Sequence, residues 1–138
     1  MKASELMIGD WVLVDDTPVQ MHMITANGQY DIIKNGVVSG IIDDNERTPQ
    51  PIPLTAEILK KNDIVLLEVG DHGPATPPAH RNRYERWFIH TTWSDTHLWY
   101  DRHTERWHLR DMGAARFKHV HELQHALRLC GIEKEINL

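Results

Sequence analysis

A chain of 138 residues that is 41% hydrophobic can bury one core, or two small lobes, and is too apolar to be read as disordered. Its formal charge of −5, from 15 basic and 20 acidic side chains, removes the long-range attraction on which a nonspecific nucleic-acid binder relies. One cysteine, Cys130, excludes an intramolecular disulfide. With no run apolar enough to cross a bilayer and no basic leader before one, the expected location is the cytoplasm.

After a short polar start, Gly9-Asp10-Trp11-Val12-Leu13-Val14-Asp15 reads as a first strand, which Asp16-Thr17-Pro18 turns into Val19–Ile24. Asn27-Gly28 and Asn35-Gly36 are hairpin turns on either side of Tyr30–Ile33, and Val37–Ile42 follows as a further strand. Short strands joined by tight turns predict a small, curved antiparallel sheet, barrel-like in the limit. Trp11 and Tyr30 invite comparison with small barrels that bind peptides, although packing is the simpler role for Trp11.

Pro51-Ile52-Pro53-Leu54 is an extended connector, and Thr55 can cap a short helix that ends near Asn62, with Ile58 and Leu59 closing the N-terminal lobe. Ile64–Val69 is a strand or the entry to one. Residues 71–80 are rich in Gly and Pro and predict an exposed excursion bordered by Arg81, Arg83 and Arg86. Three aromatic-rich stretches follow, residues 86–93, 97–101 and 106–109, a pattern for a three-stranded meander. Strict alternation places Trp87, Ile89, Thr91 and Trp93 on one face, which Trp99 and Trp107 are expected to join.

The last helix carries an apolar stripe of Val120, Leu123, Leu127 and Cys130, and Gly131 is placed to end it, leaving residues 133–138 as a tail. The same stretch spells H-E-x-x-H at His121-Glu122-Leu123-Gln124-His125. Two imidazoles one turn apart and a Glu that activates a metal-bound water make a zinc-hydrolase reading, with His121 and His125 as ligands, Glu122 as base, and His119 or an upstream histidine as third ligand. The few residues after His125 hold no further histidine, and the helical phase puts His121 and His125 opposite the apolar stripe, where solvent or another chain is the simplest neighbour. His121 and Gln124 fit hydrogen bonding to loop backbone or to a second protomer, since an amide offers a donor and an acceptor together.

Three pieces, Ile8-Gly9-Asp10-Trp11-Val12, then Pro51-Ile52-Pro53-Leu54-Thr55 with Glu57-Ile58-Leu59, then His121–Leu127 leading to Leu129-Cys130-Gly131, together resemble a group of uncharacterised proteins of Bacteroidetes genomes, often near mobile or phage-like elements. That resemblance implies a helix pattern of V-H-x-L-Q, in which the positions of Glu122 and His125 are often Gln and Asn. It therefore implies a coincidental H-E-x-x-H and no established activity.

The reading is an α+β protein: residues 1–69 forming a small curved sheet or barrel-like lobe with a short helix, and residues 84–138 a meander packed on one helix, as two lobes or as one compact domain. The expected role is that of a non-enzymatic accessory or protein-interaction module without a cofactor, contacting a protein partner or a second copy. Its candidate binding residues are His121, Gln124, Trp99, Trp107, Arg86 and Arg106. The alternatives are the zinc hydrolase above and a single-stranded nucleic-acid binder whose bases stack on the Trp/Arg surface, the latter disfavoured by the net charge.

Overall fold

The computed structural model describes residues 1–70, 82–93, 95–112 and 115–138; the expected excursion over residues 71–80, with Arg81, lies outside them. The fold is α+β, with an N-terminal antiparallel sheet, a short helix, and a C-terminal antiparallel sheet packed against a second helix. Two compact units divide the chain, Met1–Pro53 with His119–His125 and Leu138, and Leu54–Lys118 with Ala126–Asn137. The short helix and the strand after it thus belong to the second unit.

In the first unit, β1 (Trp11–Val14), β2 (Thr17–Ile24), β3 (Gln29–Lys34) and β4 (Val37–Val38) pair in that order, and β5 (Ile42–Asp43) also pairs with β3. The path is open, so the barrel-like limit is not reached. The first turn is Asp15-Asp16, not Asp16-Thr17-Pro18: both aspartates have positive φ, 49° and 60°, the type I′ geometry whose twist matches the flanking strands. Thr17 and Pro18 are released into β2, opposite Val14 and Leu13. A bulge at His22 bends β2, and the imidazole Nδ1 lies 3.0 Å from Asp31 Oδ1 across the sheet. Residues 37–42 form two short strands rather than one, pairing with opposite ends of β3.

Alternation decides what this sheet buries. Val12 and Val14 of β1, Val19 and Met21 of β2, and Tyr30 and Ile32 of β3 join Ala3, Leu6 and Ile42 in one core. Tyr30 is completely buried, and its hydroxyl donates to the Arg47 carbonyl, so it lines no peptide groove. Glycine is required at position 28, with φ of 77°, because a Cβ there would sit 2.8 Å from Asp44 Oδ1, whose partner oxygen accepts from the Ala3 N–H.

In the second unit, α1 (Ala56–Lys61) begins as expected, with the Thr55 hydroxyl accepting from the Ile58 N–H. It ends on a left-handed Asp63, with Ile64 N donating to Leu59 O and Asp63 N to Lys60 O. The sheet then runs β6 (Val65–Gly70), β7 (Tyr84–His90), β8 (Asp95–Asp101) and β9 (Arg106–Leu109), one strand more than the expected meander. Register sets Trp87 beside Leu98 and Leu98 beside Leu109, all buried. Ile89 and Trp107 share that face, where the Trp107 ring meets Trp87 edge-on at 6.1 Å. Trp99 does not: its neighbours are Arg86 and His108, on the opposite face. Trp93 also departs from expectation, since β7 stops at His90 and leaves it 86% exposed.

The second helix, α2 (Val120–Leu129), runs from the first unit into the second. Val120, Leu123, Ala126 and Leu127 are buried. Gly131 ends it with φ of 68°, its N–H bonded to Arg128 O and that of Ile132 to Leu127 O, while Ile132 and Leu127 are both buried. The tail is held down: Ile136 is buried, and the Asn62 amide donates to Asn137 O at 2.7 Å and accepts from Asn137 N at 2.7 Å.

Asn62→Ala removes that clasp together with the bond to Ile58 O. It should cost about 1–2 kcal/mol, against about 1 for Thr55→Ala, in urea unfolding of the full chain. Unchanged hydrogen exchange at the Asn137 amide in Asn62→Ala would show that the tail is held by other means.

Candidate functional site

The expected polar residues of α2 fall in the first unit, against the Gly9-Asp10-Trp11 segment that leads into β1. Gln124 donates through Nε2 to Gly9 O at 3.1 Å and accepts through Oε1 from Trp11 N at 3.0 Å. A side-chain amide has the donor–acceptor pair that a neighbouring strand would offer, so Gln124 satisfies backbone groups on both sides of Asp10. Asp10 itself is fully buried, with Oδ2 accepting from Met7 N at 2.7 Å and lying 2.6 Å from His125 Nε2. His121 and Gln124 are therefore buried, at 8% and 7% exposure, and His125 partly so. The expectation that this helix face meets solvent or another chain fails, because the loop before β1 packs on it.

His119 and Glu122 pair one helical turn apart, with His119 Nδ1 at the Glu122 carboxylate. The His119 and His121 rings are stacked at 5.8 Å, and His125 meets His121 edge-on at 5.6 Å. Burial pushes the His121 imidazole below its ordinary value; Glu122 and Asp10 oppose that shift, and His125 and His119 reinforce it. Among the described residues its buried Nδ1 has no hydrogen-bond partner. No three His, Cys, Asp or Glu side chains converge with metal-ligand geometry among those residues either. Of the H-E-x-x-H set, His125 Nε2 is held at Asp10 and Glu122 at His119, rather than both facing one position beside His121.

The other candidates divide between the faces of the C-terminal sheet. Trp107 is 3% exposed on the core face, while Arg86, Trp99 and Arg106 share the outer one. Arg86 stands over the Trp99 ring at 5.9 Å, and its Nε lies 3.1 Å from Glu68 Oε1. Beside them a cavity of about 150 Å³ is lined by Arg83, Tyr84, Trp99, Asp101, Arg106, His108 and Arg116. Arg83 forks onto Asp101 at 2.9 and 2.8 Å, and this pairing holds the Asp101 carboxyl down to about 2. His108 is lowered by burial and by Arg116, and His97 by burial, Arg86 and Arg110.

The two edges of this sheet differ. Phe117 closes the β9 side with a pair of bonds to Trp107, N to O at 3.0 Å and O to N at 2.7 Å. On the β6 side, no described residue pairs with the outer edge. Val65, Leu66, Leu67 and Val69 there are 49%, 41%, 47% and 38% exposed. The apolar run Ile64–Leu67, followed by a charge and a breaker-rich stretch, is the sequence signal for such an edge; by sequence it is a strand or the entry to one, and an edge position follows only from the pairing.

Comparison with family models, with curated proteins and with solved structures finds no match to this chain.

Gln124→Ala should cost about 2–3 kcal/mol, since it strands Gly9 O and Trp11 N together, and Gln124→Glu should recover little because a second acceptor faces Gly9 O; chemical denaturation of both variants checks this. Three histidines with lowered folded values, His121, His108 and His97, take protons less readily in the fold than in the unfolded chain. Their contribution is complete above their ordinary 6.5 and is lost as pH falls below it, by up to about 1.4 kcal/mol per pH unit for each. Melting curves from neutral to mildly acidic pH, with NMR titration of the His121 ring, test the sign; a His121 midpoint at or above 6.5 contradicts it.

Proposed function

We propose that this chain is a small, non-enzymatic interaction module that associates through the outer edge of β6, and that its first partner is a second copy of itself. The observation that carries the reading is an unpaired edge strand, among the described residues, with four aliphatic side chains 38–49% exposed. A strand edge offers a row of unpaired N–H and C=O groups, and sheets ordinarily blunt such edges with lysine or proline. The β6 sequence Val-Leu-Leu-Glu-Val-Gly carries neither, and its one charge, Glu68, is already matched by Arg86. Edge pairing would satisfy the backbone and cover the aliphatic side chains in one step.

Self-complementarity favours the second copy. Antiparallel pairing of two β6 strands about Leu67 sets Val65 of each opposite Val69 of the other and Leu66 beside Glu68, with no like charges opposed. The polar groups of α2 support a non-catalytic role, because Gln124, His125 and Asp10 are engaged in holding the helix to the segment before β1.

Sedimentation equilibrium of the full chain over a wide concentration range should show reversible dimers, with the β6 amides protected from exchange as dimer forms. Leu67→Lys, at an exposed position, should leave the melting temperature of dilute protein unchanged and abolish the dimer. A monomer at every concentration, or a dimer untouched by Leu67→Lys, would overturn the proposal.

A further inference from the structure

The cavity on the outer face of the C-terminal sheet has a charge balance that the fold does not explain. Among the described residues three guanidinium groups line it, and one carboxylate, Asp101, is spent on Arg83 by a two-point fork and also accepts from the His103 N–H at 2.9 Å. Arg116 has no acid against it among the described residues. Its Nη1 donates to His108 Nδ1 and to Ala115 O at 3.2 Å, partners that leave its charge uncompensated while the imidazole is neutral. Arg106 is exposed, and its side chain makes no hydrogen bond or ion pair with any described residue. Arg86, on the same face one row along the strands, is matched by Glu68 and leaves this balance unchanged. Two guanidinium groups with no acid partner among the described residues thus line one small concavity together with Tyr84 and Trp99.

We propose that this cavity is a binding site for a phosphate monoester, held between Arg106 and Arg116. Guanidinium forks match the spacing of oxygens on phosphate and give it directional, charge-assisted bonds that a lysine cannot. The volume of about 150 Å³ equals that of roughly five waters, enough for a phosphoryl group with its ester oxygen and too little for a nucleoside as well. The organic part of the ligand therefore lies outside the cavity, towards Trp99 and Tyr84. Asp101 keeps Arg83 in place as a wall of the site and, by its own charge, disfavours a second anion. The chain's net charge of −5 does not oppose this, because screening confines so distant a field and the local cations act at contact range. This site is independent of the β6 edge and survives or fails separately from it.

The test is an NMR titration of the full chain with inorganic phosphate and with phenyl phosphate, at ionic strength matched by sodium chloride. Saturable shifts of the Arg106 and Arg116 side-chain signals and of the Trp99 indole are expected with both phosphates and not with chloride. Tighter binding of phenyl phosphate would assign the ligand an aromatic carrier; equal binding would place recognition in the phosphoryl group alone. Arg106→Gln should weaken binding about tenfold at unchanged melting temperature, and Arg116→Gln should act likewise. Because the Arg106 side chain bonds to no described residue, its variant decides the matter even where Arg116→Gln, which loses the bonds to His108 and Ala115, fails to fold. Shifts no larger than those of chloride, or full affinity in Arg106→Gln, would overturn the proposal.

Discussion

The amide of Gln124 is the constraint around which the first unit is arranged. A strand that begins at Trp11 needs partners for the backbone groups flanking Asp10, and one side chain from more than a hundred positions away supplies both a donor and an acceptor. Asp10 then has its carboxylate turned inward, fully buried, where the Met7 N–H and the His125 imidazole meet it. A buried carboxylate is tolerated only when hydrogen-bonded in this way. Each of these contacts depends on the other, because losing the Gln124 bonds would free the segment that carries Asp10, and losing Asp10 would strand His125.

Three separated segments of the first unit come together here. Gly9-Asp10-Trp11 meets Gln124 and His125, while the Ile52 carbonyl accepts from the Val120 N–H and Pro53 bridges to His119. Extended Pro51-Ile52-Pro53 leaves the backbone oxygen of Ile52 available, and the first turn of a helix has N–H groups without internal partners. The connector thus satisfies the start of α2 where a capping side chain would otherwise be needed. Within this unit the polar positions of the helix are occupied by hydrogen bonds, Gln124 to Gly9 and Trp11 and His125 to Asp10.

The C-terminal sheet separates its aromatic residues by register. Trp87 and Trp107 interlock on the covered face, whereas Trp99 faces outward with Arg86 and beside the cavity that Arg106 and Arg116 line. The same sheet treats its edges unequally, closed by Phe117 at β9 and unpaired at β6 among the described residues. The proposed self-association and phosphate binding draw on the sheet's periphery and outer face, whereas Trp87 and Trp107 are buried on its covered face.

Local chemistry by itself determined much of this protein. Asn-Gly turns, the Thr55 cap, the glycine stop at position 131 and the alternation of Val12 and Val14 or Trp87 and Ile89 are interactions between residues close in the chain, so their outcome is written there. The α+β class follows from them. Register and burial were decided only in three dimensions. Whether Trp99 stands with Trp107 or against it depends on which residues of two strands lie opposite, and a count of alternating positions within one strand carries no such information. Helical phase likewise marked His121, Gln124 and His125 as the polar face of α2, and polarity ordinarily means solvent. Tertiary structure reversed that meaning, because the Gly9-Asp10-Trp11 segment brings to this face the complementary hydrogen-bonding groups that make a polar surface worth burying.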